Sequence, residues 1–283
     1  MSEVTVRKQK VRKNHTKKRL IFFGLLALAL LLVAVFAGRL VPYDPYEQNL
    51  SLSKLPPSRE HLMGTDLYGR DMFSRVLIGA QTSILYTLVL VLIISVGGTV
   101  IGVLCGYFGG KADSIMMRIS DICLAFPGLV FALAVAALLG GGMSNAVIAL
   151  AVISWPKYSR VARSQTLAVK TEPYAAAARM AGGNAWQIIT RHILPNILGP
   201  ILVTAVLDIG TMMMELAGLS FLGLGALPPT AEWGNMMSTG RSMLQTHPWL
   251  VISPGIAIFI TVVIFNLLGD AVRDYLDPRN SSR

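Results

Sequence analysis

TEPYAAAARMAGGNAWQIITRHILPN, residues 171–196, is a polar stretch rich in alanine and glycine, set between apolar runs long enough to cross a membrane. A polar segment between two such runs lies outside the bilayer, because hydrocarbon offers its backbone and side chains no hydrogen-bond partners. Reading outward from it gives an all-α membrane protein whose polar chemistry sits in its connections.

Composition agrees. The chain has 283 residues, 53% hydrophobic and 14% charged, with a mean hydropathy of +0.59. A soluble domain carries about 25% charged residues. The apolar residues cluster into six expected transmembrane helices, at residues 20–41, 84–108, 119–139, 143–161, 197–222 and 249–268. About 20 apolar residues cross a ~30 Å hydrocarbon core. The first run exceeds the roughly 7–15 residues of a signal-peptide core and is read as a retained helix. In the second, Gly98, Gly102 and Gly106 recur every fourth residue, a spacing that lets helix backbones approach closely. Pro127 is expected to bend the third.

The expected organisation is a basic cytoplasmic tail without fixed structure (1–19), the first transmembrane helix (20–41) and an external loop (42–80). A core with five transmembrane helices (81–270) follows, containing a cytoplasmic loop (171–195), and then a cytoplasmic tail (271–283). In the external loop, GTDLYGRDMFSR (64–75) spaces Asp66/Arg70 and Asp71/Arg75 four apart. The balanced charges read as a structural elbow, with a metal or phosphate site as the functional alternative. The 26-residue connection 223–248 is long enough to hold re-entrant or helical structure.

The net charge is +10. The charges form blocks beside apolar runs, which points to membrane orientation and away from nucleic acid. Nineteen of the 25 Lys and Arg residues fall on the face that holds both termini and residues 171–196. The excess of positive charge on cytoplasmic loops therefore places both termini and this stretch in the cytoplasm.

No G-x-x-x-x-G-K-[ST] phosphate loop, nucleophile–base pair or zinc motif occurs, so neither catalysis nor a bound cofactor is expected. Cys105 and Cys123 read as packing residues, and the four histidines are dispersed.

Within the opening stretch, Thr171 reads as the N-cap of a helix with Glu172 and Pro173 in its first turn. Tyr174–Ala181 is helical, Gly182 and Gly183 end it, and Asn184 caps a second helix over 185–193. Pro195 then turns the chain into the fifth span. A helix of small residues suits a groove on another protein; an ordinary folded loop is the alternative. Tyr174, Ala175, Ala176, Ala177, Ala178, Arg179, Gly182 and Gly183 are the candidate contact residues. A second candidate site lies in the fifth span. Asp208 and Glu215 are seven residues apart and share a helix face, with Met212, Met213 and Met214 between them. Either they line a path, meeting a divalent metal transiently, or the acids bond other helices and the methionines pack. No metal site is assigned.

The stretch resembles the EAA loop of bacterial ATP-binding-cassette importer permeases. Ala176-Ala177-Ala178, Arg179-Met180-Ala181 and Gly182 follow the motif, and Leu194-Pro195 closes it. Ala176 stands where the family has Glu, so the contact is expected to rest on small-residue packing. GTDLYGRDMFSR, LSFLGLG (219–225) and GDAVRDYLDPR (269–279) are similar to the C-type permeases of dipeptide, oligopeptide and nickel importers. The resemblance implies a type I importer permease fold with cytoplasmic coupling helices. It also implies a second permease subunit in a heterodimer, two ATPase subunits that use ATP and Mg, and an extracytoplasmic substrate-binding protein. LDIGTMMMELAGLSFLGLGALPPTAEWG (207–234) looks more like the nickel branch, implying nickel, free or chelated, as cargo, with a dipeptide or oligopeptide as the alternative.

Overall fold

The computed structural model describes the backbone of residues 3–276 and the side chains of 16–276; the last residues of the expected tail, 277–283, lie outside the described residues. Helix α1 spans Glu3–Leu40, so the backbone of the basic segment, expected to lack structure, continues the first span as one helix. A loop over 41–71 leads to α2 (Met72–Phe108), which starts nine residues before the expected boundary. Two short helices follow, α3 (Gly110–Ala125) and α4 (Gly128–Leu138), with an angle of 94° between them at Pro127. Helix α5 is Met143–Lys170. The opening stretch forms α6 (Pro173–Met180) and α7 (Ala185–Ile188). Helix α8 is Leu194–Phe221, and α9 (Trp233–Gly240) lies in the connection to α10 (Trp249–Leu276). The last helix thus runs through residues 271–276, expected to be tail.

Among the described residues, four helical segments are long and apolar enough to cross a membrane unaided: 16–40, 72–108, 185–221 and 249–276; the bent α3–α4 pair makes a fifth. The remaining expected span, the fourth (143–161), falls in α5. It traverses the bundle, but Lys157, Arg160 and Arg163 in its second half keep it from reading as an apolar span.

Helix α2 is the hub, with α1, α5, α8 and α10 packed against it. The α2–α5 contact explains the glycine spacing. A Cβ on Gly98, Gly102 or Gly106 would overlap α5 at the Trp155, Ser159 and Arg163 carbonyls in turn. Only hydrogen at those Cα positions lets the backbones meet, which is how small-xxx-small pairs gain dispersion contact where no hydrophobic effect acts between helices. One apolar core runs through α2, α4, α5 and α8, including Leu90, Ile94, Leu150, Ile197 and Leu219. A second, at the α9 end, gathers Met72, Ile84, Met213, Trp233 and Leu250.

The two ends of the bundle differ. At one, loop 41–71, α9 and the starts of α2 and α10 interlock. Trp249 Nε1 donates to the Thr65 carbonyl at 3.3 Å, and Trp233 Nε1 to the Val76 carbonyl at 2.9 Å. Glu232, 1% exposed, caps α9 by accepting from the Gly234 and Asn235 amides, and accepts from the Ser83 hydroxyl on α2. The other end carries α6 and α7. There Lys170 Nζ donates to the Tyr107 carbonyl at 2.5 Å, tying the end of α5 to the end of α2.

Candidate functional site

Helices α6 and α7 form an exposed corner. Thr171 is the C-cap of α5 and donates to the Ala168 carbonyl; Glu172 is the N-cap of α6 and makes no side-chain cap bond. This corrects the expected Thr171 cap: α5 continues to Lys170, and Thr171 bonds backward. Pro173 opens α6, where its missing N–H leaves no helix bond unmade. Gly182, at φ +83°, turns the chain out of α6. Asn184 then starts α7 with a reciprocal capping box to Gln187.

Along α6, Ala175 is buried, Ala176 and Ala178 are half-buried, and Tyr174, Ala177 and Arg179 are exposed. Arg179 Nη2 donates to the Lys170 carbonyl at 2.7 Å, holding α6 to the end of α5. A Cβ on Gly183 would overlap the Ala178 carbonyl. The small residues therefore face inward and set the corner. The outward face carries large apolar groups instead: Met180 is 84% exposed and Trp186 66%. Composition hid these two residues, since a lone Met and a lone Trp carry no pattern. Their position on either side of a Gly-Gly corner was the available signal.

The expected turn at Pro195 does not form. A π-helical stretch over Ile189–Ile193 joins α7 to α8, so residues 185–221 run as one helical element. Pro195 lacks the N–H for an ordinary helix bond, and the wider π-turn just before it accommodates the proline ring without a break.

The interior charges form a ladder on α5. Lys157 Nζ lies 2.5 Å from Asp208 Oδ1 on α8. Arg160 pairs with Asp121 of α3, and Arg163 makes a two-pronged bond to Asp113 of α3, at 2.5 and 2.7 Å. Helix α3 buries only Ser120, so these two ion pairs hold it to α5. Asp208 is 1% exposed, and its Oδ2 has no hydrogen-bond partner; neither has the buried hydroxyl of Tyr158, which approaches it. Glu215 is half-buried, within electrostatic reach of Asp208 and Lys157. The methionines do not join this cluster. Met212 and Met213 are buried in the two apolar cores. Met214 turns outward into an open apolar groove of about 460 Å³ between α8, α9 and α10. Among the described residues, no group of three or more His, Cys, Asp or Glu side chains stands ready to hold a metal ion.

The elbow GTDLYGRDMFSR pairs differently from its spacing. Asp66 Oδ2 takes Arg70 Nε at 2.7 Å, but also Arg75 Nε at 3.5 Å. Asp71 does not meet Arg75. It caps α2 through the Ser74 amide and hydroxyl, and its other oxygen meets His61 Nδ1 at 2.9 Å. Residues 64–71 precede the helix, so the helical i,i+4 rule does not apply to them.

Comparison with known proteins gives one consistent picture. The family model of binding-protein-dependent transport system inner membrane components matches residues 98–282. The chain is 46% identical to the probable D,D-dipeptide transport system permease protein DdpC of Escherichia coli K12, over 90% of this chain and 86% of the relative. It is 45% identical to the glutathione transport system permease protein GsiD of Pectobacterium atrosepticum (92% and 86%). It is 41% identical to the dipeptide transport system permease protein DppC of Alkalihalophilus pseudofirmus (95% and 89%). Among solved structures, an inward-facing MetNI methionine ABC transporter shares the fold, with a TM-score of 0.60 at 19% identity, over 73% of this chain and 98% of that one.

Proposed function

We propose, from the premise that this chain belongs to the family of inner membrane components of binding-protein-dependent transport systems, that its cargo is a short peptide or a peptide-like molecule such as glutathione. As a member it is a multi-pass permease subunit of an ATP-binding-cassette importer, not an enzyme. It works with a partner permease, ATPase subunits and a substrate-binding protein. The observation that carries the peptide reading is likeness of 41–46% identity over nine-tenths or more of the chain to permeases named for dipeptides and glutathione.

This moves nickel from first reading to second. Residues 207–234 still resemble the nickel branch, which is the one observation in its favour. Against it, Asp208 is engaged by Lys157 and two of the three methionines are packing residues. The deciding experiment uses the reconstituted complex with its binding protein. Ala-Ala or glutathione is expected to stimulate ATP hydrolysis, and nickel, with or without histidine, is not. Stimulation by nickel alone would reverse the order of the two readings.

In this reading ATP and Mg act in the ATPase partners, and α6–α7 is where their motion enters. Closure of the ATPases carries the Met180–Trp186 corner. The continuous helical element from α7 into α8 passes that displacement to Asp208 in mid-bundle, where the Lys157 pair joins α8 to α5. The end with α6 and α7 faces the cytoplasm, and the end with loop 41–71 faces outward. Lys157 is at mid-span and counts for neither face, yet the positive excess remains with the α6–α7 end. Single cysteines at Ser51 and Met180, in a chain free of Cys105 and Cys123, test the orientation. An impermeant thiol reagent on whole cells or spheroplasts is expected to label only position 51.

A further inference from the structure

At the loop 41–71 end, a cavity of about 200 Å³ opens between the elbow, Pro228–Pro229 and α9. Asp66, Arg70, Arg75, Asn235, Met236 and Thr239 are among its walls. The Arg70 and Arg75 side chains are both more than nine-tenths buried.

The charges in this cavity do not balance. Both guanidinium groups lean on the same oxygen, Asp66 Oδ2. The other Asp66 oxygen is occupied by the Tyr68 and Arg70 amides. The nearby acids are committed elsewhere, Asp71 to Ser74 and His61, and Glu232 to the α9 cap and Ser83. Among the residues that line the cavity, two arginines therefore face a single carboxylate. Arg75 Nη1 donates to the Pro45 carbonyl at 3.0 Å, and its contacts to the Pro229 carbonyl stretch to 3.5 Å. Arg70 uses its Nε for Asp66, stacks on Tyr68 and lines the cavity.

Two buried guanidinium groups that share one carboxylate oxygen are incompletely paired, which is costly in an interior. We propose that this cavity is a carboxylate-binding site. Arg70 and Arg75 hold a monoanionic carboxylate in the two-pronged geometry a guanidinium favours, and the Asn235 amide offers a neutral donor at its rim. The volume is that of roughly seven water molecules, at about 30 Å³ each, enough for a carboxylate on a chain end or short side chain. Two sources share this chemistry, the C-terminus of a peptide cargo and an acidic side chain of the binding protein. Either assignment rests on this end facing outward, which the thiol labelling tests separately.

The test starts with acetate on the purified complex in nanodiscs. Acetate, against chloride at equal ionic strength, is expected to raise the Tm of the wild type and of Arg70→Lys. It is expected to leave Arg70→Gln and Thr239→Glu unmoved. Thr239→Glu keeps both arginines and supplies its own carboxylate at the exposed rim, so it carries the test if Arg70→Gln fails to fold. No acetate effect in the wild type, or an undiminished one in Thr239→Glu, overturns the site. The source is then read with Thr239→Glu. About tenfold weaker binding of the cargo-free binding protein assigns the carboxylate to that protein. Unchanged binding with an about tenfold higher KM for Ala-Ala uptake assigns it to the cargo. If neither moves, the proposal fails. A wild type that responds to acetate but does not import Ala-Ala counts against the peptide reading and leaves the site standing.

Discussion

Single residues decide how closely the helices of this permease meet. Gly102 is the tightest case in the α2–α5 seam, because a Cβ there overlaps the Ser159 carbonyl, a backbone atom that cannot rotate away. Gly102→Ala is expected to destabilise the protein by about 1–3 kcal/mol. The same change at Gly97, where nothing lies within 4 Å, is expected to be neutral; thermal unfolding in detergent compares the two. The Lys157–Asp208 pair is a second residue-scale device. Lys157→Met leaves a carboxylate 1% exposed without its cation. We expect a loss of about 3 kcal/mol, at the low end for a broken buried pair because Lys157 is half-exposed and solvent screens the bond. Lys157→Met combined with Asp208→Leu is expected to recover most of that stability and to lose uptake. Recovered stability with normal uptake would reduce the pair to packing. Glu232 adds a pH dependence. Burial pushes its carboxyl above the ordinary glutamate range, outweighing the Gly234 and Asn235 amides. The folded state therefore favours the protonated form. The stability this contributes is full below the ordinary glutamate value and is lost as pH rises through the folded one. As pH rises above the ordinary glutamate value, the Tm of the wild type should fall by an increment that Glu232→Gln removes.

At the scale of elements, the α6–α7 corner is built from two kinds of residue. Alanines on the inner face let α6 sit close to the end of α5, and Met180 and Trp186 point away from the chain. Burial of a large apolar side chain is worth about 1.5–3 kcal/mol. Trp186→Ala and Met180→Ala are accordingly expected to weaken ATPase association by roughly tenfold or more each and to leave the permease folded. Pull-down of the ATPase and Tm of the permease separate the two effects. The charge ladder is an element-scale feature too. Ion pairs join α3 to α5, with Arg160 and Arg163 meeting Asp121 and Asp113.

For the whole molecule, the large apolar side chains left uncovered on α1, α4, α8 and α10, such as Phe22, Val130, Leu202 and Phe259, fit a subunit that sits among lipid and a partner permease. Transport by the assembled complex is expected to stop when either the ATPases or the binding protein is omitted from proteoliposomes. Transport that persists without the ATPases would be the behaviour of a channel, not an importer.

The spans, the glycine seam and the Asn184 cap were legible in the sequence because each is a local pattern: apolar length, a four-residue repeat, a capping residue before a helix. The exposed α6–α7 corner was legible as a polar break between apolar runs. Local pattern also misled, predicting a Thr171 cap, a turn at Pro195 and an Asp71–Arg75 pair, since spacing says which residues can meet on a helix but not whether the helix extends that far. Only the tertiary structure decided the rest. It placed Lys157 opposite Asp208, set both arginines of the elbow on one carboxylate, sent the methionines to separate surroundings, and turned Met180 and Trp186 outward. Those outcomes depend on which helices become neighbours. A charge 51 positions away in the chain becomes a partner 2.5 Å away only once α5 and α8 pack.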